Sequence, residues 1–219
     1  MTKQEKLSEI FDRIHKLNVC GRDNLKVRRD VTATNIDSKI MVIAEAMAPE
    51  QVRLSGINYF YKDGKIGSTG KYFEKFLNKF DYTVYPSKEK CIYHTEIVHN
   101  FPGYKISKGK KSIRRPTKQE IKESIESNIL RDEIDLIQPK LILLMGSTAY
   151  HTFYKYILNI NVKRNLTEEI ERISKTGEYS MYNNIPIIPI QHSSGANPRF
   201  NSMLKNEKLI QLIRKIVNA

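Results

Sequence analysis

The polar turn at residues 192–199 follows a short apolar run and carries groups that are suited to chemistry. His192, Ser193, Ser194, Asn197 and Arg199 supply an imidazole, hydroxyls, an amide and a guanidinium. Imidazoles exchange protons near neutral pH, and hydroxyl and guanidinium groups bind phosphate oxygens. The turn therefore suits proton transfer or anion binding. An ordinary polar turn with one incidental histidine is the alternative, and this stretch alone does not exclude it.

A carboxylate, Glu45, follows a second short apolar run at residues 40–43. Burying a carboxylate costs free energy unless the group has a partner or a function. A helix cap and an ion pair are the structural alternatives for Glu45, but its place at the end of a buried strand favours a function. Ligands of open α/β sheets bind at the carboxyl ends of the strands, where His192 is also predicted to lie.

Hydrophobic patterning predicts the strands that would position these residues. Short buried strands are predicted at residues 40–43, 91–98, 141–145 and 187–190. Pro186 and Pro189 suit a sheet edge or a strand start. Because the strands alternate with helices, we predict an α/β fold with three α/β/α layers around a central four-stranded, mostly parallel sheet.

Helical periodicity predicts the layers that cover this sheet. Helices are predicted at residues 2–17, from Ser68 or Thr69 to residue 80, and at residues 117–138, 147–158 and 202–217. Thr2 with Glu5 has the spacing of a capping box, as does Thr117 with Glu120. Residues 159–184 receive no assignment.

Length and composition predict a single domain over residues 1–219, because 219 residues with 40% hydrophobic content can bury a sizeable core. No apolar run approaches a membrane span, and the N-terminus has no signal-peptide core, so a cytoplasmic location is expected. Cys20 and Cys91 are too few for a disulfide framework, and no CxxC pair is present for zinc or iron–sulfur. We therefore expect no metal and no cofactor.

The charge of the chain indicates a polyanionic partner, because 37 basic residues face 24 acidic ones and the net charge is +13. Nucleic acid is favoured over a membrane, since no basic amphipathic anchor is present. The charge is concentrated at residues 101–118, which hold seven basic residues and no acidic one. Among them, Lys110, Lys111, Arg114 and Arg115 are candidate phosphate contacts on a flexible basic loop. A merely solvated run of charge is the alternative.

Three motifs between residues 40 and 200 together resemble a known family. The first is residues 44–48, followed by Gly56, Tyr59 or Phe60, and residues 67–70. The second is residues 93–98, followed by Pro102, residues 115–117, Glu120, Glu133, Pro139, Gly146 and Ala149. The third is residues 192–194. In this order they resemble the uracil-DNA glycosylase superfamily, most closely the branch whose better-known members carry an iron–sulfur cluster.

This resemblance implies that DNA is the partner and that the chain is a DNA glycosylase. Such an enzyme flips a nucleotide out of the duplex and hydrolyses the bond between its base and C1′. The resemblance places Glu45 near the sugar, where it would stabilise positive charge or activate water. It places His192 at the base O2, where a neutral imidazole would donate an N–H to the departing anion.

The remaining roles that the resemblance implies concern the flipped base and the DNA backbone. Tyr59 or Phe60 should stack on the base, and the other aromatic residue should pack in the core. The residues expected to hold phosphates are Ser193, Ser194, Asn197 and Arg199, together with the basic loop. Arg199 or Phe200 would fill the space that the base leaves.

One departure from the family changes the expected substrate, because Glu96 stands where the family has an asparagine that reads uracil. An ionised carboxylate only accepts hydrogen bonds, which suits the N4 amine of cytosine. A modified cytosine, such as the 5-hydroxymethylcytosine or glucosylated form that phage DNA carries, is therefore favoured. A protonated Glu96 would restore uracil recognition. Alternatively, Glu96 bonds the basic loop and a neighbouring residue reads the base.

Other departures concern the cluster and the first motif. His99 or Asn100 stands near one family cysteine and Glu126 near another, so the resemblance implies no cluster here. The first motif lacks the family's glycine and proline. The leading hypothesis is a metal-free, monomeric glycosylase acting on nucleoid DNA in base excision repair or phage defence. A non-catalytic basic DNA-binding module is the alternative; a nucleotide-binding α/β protein has no GxGxxG or P-loop to support it.

Overall fold

The computed structural model of the chain describes residues 1–20, 31–32, 34–46, 58–61, 63–194 and 197–219. The strands are β1 (Ile40–Ala46), β2 (Tyr93–Val98), β3 (Tyr104–Ser107), β4 (Lys110–Ile113), β5 (Leu141–Met145), β6 (Ser180–Tyr182) and β7 (Ile185–Ile190). The helices are α1 (Lys3–Lys16), α2 (Ser68–Leu77), α3 (Lys118–Glu126), α4 (Ile129–Ile137), α5 (Ser147–Thr152), α6 (Leu166–Thr176), α7 (Pro198–Met203) and α8 (Glu207–Asn218).

The central sheet has the strand order β2-β1-β5-β7-β6. Its first four strands are parallel, and β6 pairs with β7 in the antiparallel sense. Helices flank the sheet, so the predicted α/β/α fold is confirmed. The predicted number of four strands is wrong, because β6 adds a fifth within residues 159–184. Three residues are too few to produce a recognisable alternation in sequence.

The middle of the sheet is buried on both faces, and its strands are therefore apolar without alternation. Every side chain of residues 40–43 and 141–144 is fully buried, as are Ile187, Ile188 and Ile190. Helix α6 packs on β7, and α1 packs on α4. Within the described residues, no helix is long and apolar enough to cross a membrane.

Strand β7 lies inside the sheet, so of the two positions predicted for its prolines the sheet edge is wrong, whereas Pro186 does lie at the start of the strand. Pairing with β5 begins at Ile187, and pairing with β6 ends there. Pro186 therefore precedes the ladder with β5, and Pro189 lies beyond the ladder with β6. The Ile190 carbonyl accepts a hydrogen bond from the Gly146 N–H at 2.9 Å, just beyond the end of β5. The backbone N–H and C=O groups of the even-numbered residues of β7 therefore point toward β5, and those of the odd-numbered residues point toward β6. The backbone nitrogen of each proline thus points to a side on which no strand is paired at that position. The missing N–H therefore removes no hydrogen bond from the sheet.

Two of the predicted helices are each divided in two, and the cap predicted for a third is different. The helix predicted at residues 117–138 is divided into α3 and α4 at Asn128, whose φ of 59° is left-handed. The helix predicted at residues 202–217 is divided into α7 and α8, and Asn206 caps the second of these. Both capping boxes are confirmed. The predicted cap of α2 is wrong, because Gly67 is the N-cap and makes no side-chain bond.

The basic stretch at residues 101–118 is a β-hairpin, so its prediction as a flexible loop is wrong. Strands β3 and β4 pair in the antiparallel sense, with Tyr104 opposite Ile113 and Ile106 opposite Lys111. The turn residues Lys108 and Gly109 have φ values of 50° and 72°. Two consecutive positive φ values are typical of the turn that matches the twist of a two-residue hairpin.

Strand β2 is held from behind by a buried carboxylate. Glu133 of α4 accepts hydrogen bonds from the hydroxyls of Tyr93, at 2.7 Å, and Thr95, at 2.6 Å. His99 Nε2 lies 2.9 Å from the same carboxylate, and all four residues are fully buried. The hydroxyls and the imidazole compensate the cost of burying this charge. Because strand residues alternate in direction, His94 and Glu96 point to the opposite face.

Candidate active site

A cavity of about 350 Å³ lies at the carboxyl-end edge of the parallel strands. It is lined by side chains from the ends of β1 and β5, from the body of β2, from the segment before α2, from the segment after β7 and from the base of the hairpin: Glu45, Tyr59, His94, Glu96, Ile113, Arg114, Arg115, Met145 and His192. The volume suits a small organic ligand such as a nucleobase. The carboxyl ends of neighbouring parallel strands bring residues that are distant in sequence into this one place.

Glu45, the penultimate residue of β1, turns a half-buried carboxylate toward the cavity. Its Oε1 is buried and has no hydrogen-bond partner among the described residues. Buried polar atoms in folded proteins are nearly always bonded, so an exception calls for an explanation. A carboxylate held in this way is suited to stabilise a positive charge or to accept a proton from water.

His192 follows β7, and its ring reaches the cavity from the turn. Its backbone carbonyl accepts a hydrogen bond from Asn197 Nδ2 at 2.9 Å, which fixes the turn. The ring is partly exposed to solvent, yet burial lowers the pKa of His192, and His94 lowers it further while Glu45 opposes the change. The imidazole is therefore neutral at pH 7 and carries one N–H that can be donated.

Gly146 supports this turn from the end of β5. Its φ of 89° favours glycine, and its N–H donates to the Ile190 carbonyl at 2.9 Å. A Cβ at this position would meet the His192 Cβ at 3.7 Å, which is ordinary contact. The requirement for glycine here therefore comes from the backbone conformation rather than from lack of space.

Glu96 lies at the back of the cavity and is only 1% exposed. Its Oε1 is 3.2 Å from His94 Nε2, and His94 Nδ1 is 2.7 Å from the Tyr59 hydroxyl. Burial, and then the charge of Glu96, raise the pKa of Tyr59 well above its ordinary value. Tyr59 thus keeps its proton, and the contacts from Tyr59 through His94 to Glu96 form one side of the cavity. In its ionised form, Glu96 would present acceptors only to a ligand in the cavity.

Sequence reasoning did not assign a role to His94. The signal was available, because His94 and Glu96 are two residues apart on one strand and therefore share a face. The bond from Tyr59 to His94 could not be found in this way, since Tyr59 lies outside the sheet and far away in sequence. His94 lies between the predicted aromatic contact and the predicted base-recognition residue.

Of the two adjacent aromatic candidates, Tyr59 lines the cavity and Phe60 packs in the core against Tyr85, with ring centroids 5.3 Å apart. Tyr59 has a φ of 71°, which is uncommon for a residue with a side chain. A Cβ on Gly70 of α2 would meet the Tyr59 Cβ at 2.7 Å. Gly70 therefore permits the close approach that brings Tyr59 to the cavity. Gly56, Met47, Ala48 and Gly195 lie outside the described residues.

The residues of the turn predicted to bind phosphates differ in accessibility. Ser193 is fully buried, with its hydroxyl 3.7 Å from Met145 Sδ, whereas Ser194 is half-buried. Asn197 caps α7 by accepting from the Arg199 N–H at 3.1 Å, and the Arg199 side chain is exposed. The side chains of Ser194 and Arg199 are thus more accessible to a phosphate than the buried side chain of Ser193.

Phe200 cannot take the place of a flipped base in this structure. It is fully buried and packs against Phe76, with ring centroids 6.1 Å apart. Of the two residues considered for that role, only Arg199 has an exposed side chain.

The four basic candidates of the hairpin region are in two environments. Lys110 and Lys111 are exposed on β4, and Lys111 Nζ lies 4.1 Å above the Tyr104 ring. Arg115 is exposed at the cavity, whereas Arg114 is largely buried and forms two bonds to Glu120, one of 2.7 Å. Arg114 therefore anchors the base of the hairpin to α3, and the other three have exposed side chains.

The Arg114–Glu120 pair should stabilise the fold measurably. Its hydrogen bonds lower the pKa of Glu120 from 4.5 to about 2. A lowered pKa adds stability above the unfolded-state value, and this is lost as the pH falls toward about 2. Glu120→Gln, which can still complete the capping box, should lower the free energy of unfolding by about 1–3 kcal/mol at pH 7.

Urea denaturation at pH 7 and at pH 3 measures this effect. The difference between Glu120→Gln and the wild type should shrink at the lower pH. Glu123→Gln, on an exposed position of the same helix, is the matched control and should change stability little. An equal loss at both pH values would contradict the assignment to the ion pair.

The residues present do not fit an iron–sulfur cluster. Cys20 and Cys91 are the only cysteines of the chain, and burial raises the pKa of Cys91 to about 12, which opposes the thiolate that ligation requires. His99 is bonded to Glu133, Asn100 to the backbone of Leu17 and Val19, and Glu126 lies near Lys122. Among the described residues, no group of three or more His, Cys, Asp or Glu side chains could hold a metal ion.

Comparison with known proteins gives one result that bears on the family. The family model of the Uracil DNA glycosylase superfamily matches residues 31–216. This range includes every strand of the central sheet and every cavity residue named above. A comparison with curated proteins gives no match.

Proposed function

Because the chain belongs to the uracil DNA glycosylase superfamily, we propose that it excises a non-canonical pyrimidine base from DNA and leaves an abasic site. The observation that supports catalysis is the Glu45 carboxylate, which faces the cavity with a buried oxygen that has no partner among the described residues. His192 and Glu96 line the same cavity. The residues proposed to hydrolyse the bond, to stabilise the departing base and to recognise it therefore line one cavity.

The proposed reaction breaks the bond between C1′ and the base nitrogen. The bonding electrons leave with the base, whose O2 becomes negative and accepts the N–H of neutral His192. The sugar becomes positively charged, and the Glu45 carboxylate stabilises it. A water oxygen then bonds to C1′ while Glu45 accepts its proton. The base takes up a proton after release, so charge and atoms balance.

We propose a cytosine-type base as the preferred substrate, because Glu96 offers acceptors. The Glu96 carboxylate lies at the back of the cavity, with its Oε1 3.2 Å from His94 Nε2, and in its ionised form it only accepts hydrogen bonds. An ionised carboxylate would accept from the N4 amine of cytosine, whereas it would repel O4 of uracil. A substituent at C5 would distinguish the target from ordinary cytosine. Release of a modified cytosine that phage DNA carries would indicate a defence role, and release of uracil would indicate base excision repair.

A base-release assay tests the proposed function. Duplex and single-stranded oligonucleotides carry uracil, cytosine, 5-hydroxymethylcytosine or its glucosylated form, and alkali then cleaves any abasic site. Strand cleavage at a modified cytosine, with none at cytosine, is the expected result. Tight binding to DNA without an abasic site from any of these bases would favour a non-catalytic DNA-binding module instead.

The protonation state of His192 predicts the pH dependence of base release. Its lowered pKa means that the imidazole stays neutral, and keeps its N–H, at every pH above about 6.5. We expect single-turnover rates to be level between pH 6.5 and 8.5, and His192→Ala to be slower by roughly 10²-fold at each pH. A tenfold fall in the wild-type rate per pH unit above 7 would show that a protonated imidazole is required.

A further inference from the structure

The hairpin of β3 and β4 has one apolar face and one basic face. Alternate residues of a strand share a face, and paired residues lie beside each other. The pairing therefore gathers Tyr104, Ile106, Lys111 and Ile113 on one face and Lys105, Ser107, Lys110 and Ser112 on the other. Tyr104, Ile106 and Ile113 are 42%, 78% and 47% exposed, although they are large and hydrophobic.

The apolar face reaches the cavity at one end, through Ile113. Ile113 lines the cavity, and the Arg114 N–H closes the base of the hairpin on the Gly103 carbonyl at 3.0 Å. Ile106 lies opposite Lys111, which is two residues closer to the hairpin turn than Ile113. At roughly 3.3 Å per residue, Ile106 is displaced by about 7 Å along the hairpin from the Ile113 pair that reaches the cavity.

The hairpin is preorganised, since its turn has the conformation that suits two-residue hairpins and Lys111 covers the Tyr104 ring at 4.1 Å. Residues 101–118 contain no acidic side chain, so the field around the exposed apolar group is positive. Water solvates an exposed aliphatic side chain poorly. A polyanion with an apolar interior would contact both this side chain and the lysines around it. A DNA duplex opened at one base step has these properties.

We propose that the apolar face of the hairpin is a wedge, and that Ile106 enters the base stack beside the flipped nucleotide. Lys105 and Lys110, on the opposite face, hold the neighbouring phosphates. When the target base enters the cavity, the faces of the neighbouring bases become exposed, and the wedge covers this apolar surface. This inference rests on the proposed function, because it takes DNA with a flipped nucleotide as the partner.

Binding to a stable abasic analogue tests the wedge without requiring knowledge of the excised base. Fluorescence anisotropy gives the Kd for a duplex with one tetrahydrofuran site and for the intact duplex. A 2-aminopurine beside the tetrahydrofuran reports unstacking. Ile106→Ala should weaken binding to the tetrahydrofuran duplex by at least about fivefold and abolish the rise in fluorescence, with intact DNA bound as before. Ile160→Ala, which truncates a 44% exposed isoleucine remote from the cavity, should match the wild type.

Two results would overturn the wedge: unchanged binding and fluorescence in Ile106→Ala, or an equal loss on both duplexes, which would indicate a general surface contact. The proposed function can fail separately. Base release by the wild type together with unchanged binding by Ile106→Ala contradicts only the wedge. Selective binding that depends on Ile106, without base release from any oligonucleotide, contradicts only the glycosylase activity.

Discussion

Glu45→Gln is expected to slow single-turnover base release by roughly 10²–10³-fold while leaving DNA affinity within about twofold. Glutamine keeps the shape of the side chain but removes the charge that would stabilise the sugar cation and accept a proton from water. Because the Glu45 Oε1 has no partner among the described residues, the substitution breaks no described hydrogen bond of that atom. The rate of abasic-site formation, measured with enzyme in excess, gives the effect.

The control for this variant is Glu171→Gln, on an exposed position of α6, which should release base at the wild-type rate. Thermal unfolding of both variants shows whether the fold is retained. If Glu45→Gln is folded, binds DNA and releases base at the wild-type rate, another group supplies the negative charge and the role of Glu45 is refuted.

Glu96→Gln is expected to reverse the preference between bases. The amide would direct a donor or an acceptor toward the substrate, so release of the modified cytosine should fall by roughly 10²-fold and release of uracil should rise. A competition between the two bases on differently labelled oligonucleotides measures the ratio directly. A change in ratio is informative even if both absolute rates fall through imperfect packing.

A change of ratio distinguishes recognition from a structural role. If Glu96 only supported the basic loop or His94, its replacement would slow the two reactions alike. Equal losses for both bases would therefore show that a different residue reads the base. Glu96→Asn, which shortens the side chain, should shift the ratio in the same direction as Glu96→Gln.

The fold could largely be predicted from sequence, because its central strands are buried on both faces. Residues 40–43 and 141–145 have no polar interruption, and such runs are unambiguous once helices are found between them. The breaks within helical stretches could not be predicted in this way. At Asn128 the apolar periodicity continues across the left-handed residue, since both helices turn their isoleucines to the same core.

The basic hairpin shows a different limit of sequence reasoning. Its strands are only four residues long and have no buried face, so the alternation of Tyr104 and Ile106 with polar residues was too short to indicate them, and the run of charge suggested a loop. The signal that remained was the Lys108-Gly109 dipeptide, which is weaker than Asn-Gly as a turn sequence.

The candidate site was only partly accessible to sequence. The parallel topology brings Glu45, Glu96 and His192 to one cavity, and patterning could indicate that topology. The distinction between Tyr59 and Phe60 depends on a positive φ and on the missing Cβ of Gly70, which are tertiary features. The pairing of Arg114 with Glu120 likewise depends on how the hairpin returns to α3.

The opposite faces of β2 have a consequence for how this protein can change. Tyr93 and Thr95 fasten the strand to Glu133, whereas Glu96 on the other face contacts the cavity. A mutation at position 96 therefore alters the site without disturbing the bonds that hold the strand in place. Substitutions at position 96 therefore offer a route to a different base specificity that leaves the attachment of β2 to Glu133 in place.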